Sequence, residues 1–187
     1  MKVKDMNNKQ HVQLTKVTDY DFVSAEKDKY GVFYSRDGLR LIDVDNKTFS
    51  CREYRIKESV KIICDYAFAG CSTIINVIIP DSVEVIGERA FYGCSSLQNM
   101  KLPQYLIYCG SSVFSKCSSL QTIELPISMK SINKSMFSGC SSLKNILIPS
   151  SVTRIGRAAF YQCKSFKEII IPKSVQYIDR LAFRYCI

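Results

Sequence analysis

Nine cysteines and one histidine carry the most reactive side chains of this chain. Three chemistries would use them: a Cys–His nucleophile, a metal centre, or disulfide bridges. A thiol nucleophile needs a base, and His11 is the only histidine available for that role. No paired Cys or His spacing of the metal-ligand kind is present. The acidic residues are scattered: Glu124 and Glu168 have no second carboxylate recurring beside them. No glycine-rich loop opens a helix. The residues therefore nominate no catalytic group, no metal ligand and no cofactor site, and the chain reads as a non-enzyme. Disulfides are argued against by an odd cysteine count, with Cys51, Cys64 and Cys109 standing apart from the other six. Buried free thiols, acting as small apolar side chains, are the expected state. Adjacent members of the six would still fall within disulfide reach if they lie on neighbouring strands about 4.8 Å apart.

Those six, Cys71, Cys94, Cys117, Cys140, Cys163 and Cys186, are spaced 23 residues apart. So are Phe68, Phe91, Phe114, Phe137, Phe160 and Phe183, and so are Pro80, Pro103, Pro126, Pro149 and Pro172. A constant period of this length marks a solenoid of stacked coils. Numbering each coil from Ile74, Leu97, Leu120, Leu143 and Phe166 as position one, position four is Val77, Met100, Ile123, Ile146 and Ile169, and position six is Ile79, Leu102, Leu125, Ile148 and Ile171. Apolar spacings of two and three in a short β-prone run suit a strand with one face buried. The proline, lacking an N–H for the ladder, ends it. A second apolar set follows at position ten (Val83, Leu106, Met129, Val152, Val175) and thirteen (Ile86, Cys109, Ile132, Ile155, Ile178). Position fourteen holds Gly87, Gly110, Asn133, Gly156 and Asp179, residues that tolerate left-handed backbone, so a tight turn is expected there. The phenylalanines are expected to stack coil on coil, and the cysteines to face backbone groups at the corner. No segment keeps a helical period for ten residues, so few or no long α-helices are expected.

Three regions follow. Residues 1–19 read as a flexible lead-in with room for a short strand at His11–Val17. Residues 20–50 contain two β-rich runs around Arg36-Asp37-Gly38, a hairpin signal, placed as a cap on the N-terminal end of the solenoid. Residues 51–187 hold the repeats with their six Phe-x-x-Cys corners.

Leu143, Ile146, Ile148, Pro149, Val152, Ile155, Gly156, Ala159, Phe160 and Cys163 spell one copy of a pattern that resembles the BspA-like leucine-rich repeats. The hairpin run from Gly31 to Ile42 looks like an insertion common in that family, as does the run from Tyr54 to Val60, with Lys57 in place of the usual proline. The resemblance covers roughly residues 20–187. It implies a right-handed leucine-rich-repeat solenoid, mostly β, whose first strands lie parallel on a concave face. It also implies a cell-surface or secreted protein that binds other proteins, such as host matrix or surface proteins, without naming any binding residue.

Two surfaces stand out on that frame. Positions three and five of the concave strand project outward and vary from coil to coil, so packing does not dictate them: Asn76, Ile78, Asn99, Lys101, Thr122, Glu124, Asn145, Leu147, Glu168 and Ile170. Exposed apolar members of this set suggest a protein-binding face. The second is a basic column at position fifteen, Lys134, Arg157 and Arg180, with Arg154 nearby. The charge is uneven: residues 130–187 carry 10 basic and 2 acidic side chains, out of a formal net charge of +9 for the whole chain. An anionic glycan, lipid headgroup or acidic partner would suit the column. Nucleic acid is disfavoured because no aromatic residue interleaves it. No apolar run approaches the roughly 18 residues of a membrane span. The first ten residues are polar and lack an apolar leader segment, so an intracellular scaffold is the alternative to a surface adhesion module.

Overall fold

A computed structural model describes residues 7–186; residues 1–6 of the expected lead-in lie outside the described residues. The chain opens on helix α1 (Asn8–Thr15), where a strand was expected. The Asn7 side chain accepts from the Gln10 N–H, and the Gln10 side chain accepts from the Asn7 N–H. This reciprocal cap, Asn-x-x-Gln, is the start signal that the strand reading missed. Leu14 and Val17 pack on Ile62, Cys64 and Val85, and buried His11 stacks on Tyr108 with ring centroids 5.4 Å apart. The segment is thus docked on the solenoid, which corrects the flexible lead-in over the described residues. Helix α2 (Asp19–Ser24) is capped by Thr18 and tied down by Arg40, whose guanidinium reaches Asp21 at 2.5 Å and the Lys16 carbonyl at 2.6 Å.

Strand β1 (Glu26–Lys27) pairs antiparallel with β2 (Val32–Tyr34), and β2 with β3 (Arg40–Val44). The β2–β3 turn runs through Gly38 at φ +69°, a left-handed angle that glycine adopts without strain. β3 then pairs in parallel with the first coil, Leu41 beside Ile63, so the hairpin begins a sheet that the coils continue. Tyr54 fastens the hairpin from the other side, bonding to the Tyr34 hydroxyl (2.5 Å) and to Asp28 (2.6 Å).

The coils supply two series of short parallel strands. The concave series is β4 (Glu53–Arg55), β6 (Asn76–Ile78), β8 (Asn99–Lys101) and β10 (Thr122–Glu124). The opposite series is β5 (Ile62–Ile63), β7 (Val85–Ile86), β9 (Tyr108–Cys109), β11 (Ser131–Ile132), β12 (Arg154–Ile155) and β13 (Tyr177–Ile178). Register is set by the period: Tyr54 lies beside Val77, Ile123 beside Met100, and Ile132 beside Ile155. The result is a right-handed leucine-rich-repeat solenoid, mostly β, of about six turns.

Between the two sheets lies the core. Phe68, Phe91, Phe114, Phe137 and Phe160 are fully buried. Their rings, with Phe183, form one stack with centroid steps of 5.1, 5.6, 5.7, 5.4 and 5.2 Å. Beside the stack the column thiols from Cys94 onward donate to the phenylalanine carbonyl of the preceding coil, Cys94 to Phe68 and Cys117 to Phe91 at 3.1 Å and Cys163 to Phe137 at 3.2 Å, while Cys71 donates to the Asn46 side-chain oxygen. Each of these phenylalanine carbonyls also accepts a backbone N–H within its own coil, Cys71 to Phe68 and Cys94 to Phe91 for example, so the thiol adds a second, weak bond that ties one coil to the next.

Position fourteen needs correction. Its glycines do not have positive φ; the left-handed residues come two positions later, at Arg89, Ser112, Ser135, Ala158 and Leu181. Position fourteen is small because coils touch there. A Cβ on Gly87 would lie 2.5 Å from the Asp65 nitrogen, and one on Gly110 would lie 2.6 Å from the Glu88 nitrogen. Close backbone approach, not turn geometry, explains the glycine.

Two further differences concern the sheets. The concave ladder stops at β10: residues 143–149 and 166–172 form no paired strand. The opposite sheet is divided between β9 and β11. In the final coil, Ile178 is 48% exposed although Ile155 and Ile132 in the same column are buried, since no described coil stacks upon it.

Candidate binding surfaces

The concave strands place Asn76, Ile78, Asn99, Lys101, Thr122 and Glu124 along one open groove of about 600 Å³. The alternation is that of a half-buried strand: Val77, Met100 and Ile123 point into the core while their neighbours point out. Arg55 and Glu58 border the groove at its N-terminal end. Within it, Thr122 donates to the Asn99 side-chain oxygen at 2.6 Å, and Lys101 stands 3.6 Å from Glu124. These exposed cross-strand pairs hold the side chains in ranks and contribute little stability. Asn145, Leu147, Glu168 and Ile170 are also exposed, but they sit on the stretches without a ladder and outside the groove's lining. The structure thus brings together six of the ten expected residues. Leu147 (82% exposed) and Ile170 (71%) are large apolar side chains with no packing reason to face water.

Sequence reasoning missed a neighbour of this groove. Position nine is Ser59, Ser82, Tyr105, Ser128, Ser151 and Ser174. The five serine hydroxyls each donate to a carbonyl of the preceding turn, for example Ser82 to Val60 (2.9 Å), Ser128 to Leu106 (2.8 Å) and Ser151 to Met129 (2.7 Å). Tyr105 alone gives up that bond and stands 70% exposed, with exposed Ile127 in the next coil. The broken serine column was visible in the sequence once aligned; its structural role was not.

The basic column behaves differently. Lys134, Arg154 and Arg157 line a second cleft of about 500 Å³ with Ser111, Ser131, Asn133 and Asp179. Arg180 is not among its lining residues. Arg154 is engaged: it lies 3.4 Å from the Asp179 carboxylate and 4.9 Å over the Tyr177 ring. Among the described residues, no carboxylate pairs with Lys134 or Arg157.

The reactive groups form no centre. Among the described residues, no three His, Cys, Asp or Glu side chains could hold a metal ion together. Burial pushes the thiols of Cys64, Cys71 and Cys109 up to about 12, because a thiolate there would lose its water. These cysteines are inert packing groups at neutral pH. No helix among the described residues is long and apolar enough to cross a membrane.

Residues 61–187 match the BspA type Leucine rich repeat region, in six copies. No curated protein matches the chain. Among solved structures, it is similar to a leucine-rich repeat protein from Eubacterium ventriosum, with 23% identity, a TM-score of 0.76, and 88% of this chain covered against 50% of that one. It is also similar to one from Bacteroides ovatus (22% identity, TM-score 0.62, 91% and 56% covered) and to the T. pallidum Leucine Rich Repeat protein (26%, 0.51, 91% and 68%). The chain spans about half the length of the first two.

Proposed function

Since the chain belongs to the BspA-type leucine-rich-repeat family, we propose that it is a non-catalytic adhesion module that binds a protein through its concave strand face, on a cell surface or in secreted form. Residues 20–50 serve as its N-terminal cap and 51–187 as the binding solenoid. The observation that carries the reading is the contrast between constant and variable positions. The core columns stay apolar from coil to coil, while outward position five changes in chemical character from Ile78 to Lys101 to Glu124; with Asn76, Asn99 and Thr122 at position three these side chains line one groove. Exposed apolar side chains among charged ones, Ile78 beside Lys101 and Glu124, match the make-up of protein-binding patches. A host matrix or surface protein is the partner proposed.

The test is a binding assay of the full chain against a panel of immobilised extracellular-matrix proteins, with Ile78→Asp and Leu147→Asp compared with wild type. Leu147 is 82% exposed and Ile78 37%, so melting is expected to hold for Leu147→Asp and to fall slightly for Ile78→Asp, while binding falls at least tenfold in both. Binding unchanged in both variants removes the concave face from the reading.

A further inference from the structure

The division of the outer sheet between β9 and β11 has a local cause. At the other coil junctions position fourteen donates its N–H to the preceding coil: Gly87 to Ile63, Gly110 to Ile86, Gly156 to Ile132 and Asp179 to Ile155, at 2.7–2.9 Å. At Asn133 that bond is replaced. The side-chain Nδ2 donates to the Cys109 carbonyl instead, at 2.5 Å. A Cβ alone does not part the coils, since Asp179 carries one and keeps its bond to Ile155 at 2.9 Å; what differs at Asn133 is the side-chain amide, which takes the Cys109 carbonyl. Two more ladder bonds go with it. Ile107 and Tyr108 both donate to the Glu84 carbonyl, and Gln176 and Tyr177 to that of Thr153, whereas no such bond joins Lys130 or Ser131 to Ile107. The opening stays on the outer sheet: Phe114 and Phe137 remain stacked at 5.7 Å, and the corner bond from Phe114 to Met136 persists. The junction therefore presents a notch flanked by the Ser111 and Ser131 hydroxyls and continuous with the basic cleft.

We propose that this notch and the cleft beside it bind the sulfate groups of a sulfated glycan chain. Three cations and one carboxylate line the cleft, and the carboxylate, Asp179, is engaged by Arg154. Lys134 and Arg157 are left to meet an anion, with Lys130 at the notch. The Ser131 hydroxyl is given to the Asn133 side-chain oxygen at 2.8 Å, which leaves the Ser111 hydroxyl and the ladder-free backbone amides next to two cations as the set that recognises an oxyanion. Arg180 continues the position-fifteen column one coil further, at a pitch of about 4.8 Å, which favours a linear polyanion over a single ion. No aromatic side chain lines the cleft, Tyr108 at the notch is stacked on His11, and the face of the nearby Tyr177 ring is covered by Arg154, so bases find no free stacking platform. This site is separate from the concave face, and either can fail without the other.

The test is retention of the full chain on immobilised heparin as the salt is raised. Wild type is expected to elute above physiological salt, and Lys134→Gln with Arg157→Gln to elute near the void. Asn133→Gly keeps every charge but allows the ladder to close; it is expected to lose more than half of the retention while melting no lower than wild type. Asn133→Gly eluting with wild type would overturn the notch and leave only diffuse charge. Equal retention on desulfated heparin, or on single-stranded DNA, would overturn the sulfated glycan, as would wild type failing to bind. Circular dichroism confirms that each variant is folded; the double Gln variant, altered only at exposed side chains, keeps the proposal testable if Asn133→Gly is not.

Discussion

Phe137→Ala probes the spine directly. The ring is fully buried between Phe114 at 5.7 Å and Phe160 at 5.4 Å, almost parallel to both. Deleting it removes roughly 100–150 Å² of apolar surface, or about 2.5–4 kcal/mol at 25 cal/mol per Å². The residual cavity keeps the loss within the usual range of about 3–5 kcal/mol for a buried phenylalanine. For a chain of this length each kcal/mol corresponds to roughly 2–4 °C, so melting should fall by about 6–20 °C. Phe183 is the internal control. It stacks on one neighbour only, Phe160 at 5.2 Å, and is half-buried. Phe183→Ala should cost about 1–2 kcal/mol, since less surface is uncovered. Urea unfolding followed by circular dichroism measures both. Equal losses at the two positions, or a loss below about 1 kcal/mol at Phe137, would refute the claim that nearest-neighbour stacking holds the coils together.

Three other outcomes are expected. Gly87→Ala should destabilise by about 1–3 kcal/mol, because its Cβ would lie 2.5 Å from backbone, whereas Ala158→Gly should stabilise by about 0.5–1 kcal/mol by relieving φ +54°; thermal melts read both signs. Cys64, Cys71 and Cys109 have folded values raised from near 9 to about 12. Their stabilisation is fully present below pH 9 and is lost as pH rises toward 12, so the urea midpoint should fall from pH 9 to 11, and Ellman's reagent should label them only on unfolding. Tyr105→Ser should restore the hydroxyl bond to the Val83 carbonyl and stabilise by about 0.5–1.5 kcal/mol while weakening partner binding; a melting temperature unchanged or lowered would contradict the serine-column reasoning.

The period alone determined the stack. Because every coil has the same length, like residues must lie beside like, so Phe68 to Phe183 had to form a column and Leu97, Met100 and Leu102 had to turn inward. The outward positions of the concave strand were legible for the same reason, by their failure to repeat. What a linear pattern cannot carry is distance between coils. That Gly87 is small because Asp65 lies against it, and that Asn133 parts β9 from β11, depend on ångström-scale contacts between residues 22–24 apart. The helix over Asn8–Thr15 was hidden because too few apolar residues mark its face, and the sheet it docks on supplies what its own sequence lacks. The sequence set which side chains meet. The tertiary structure decided how closely, and so where the ladder holds and where a surface opens for a ligand.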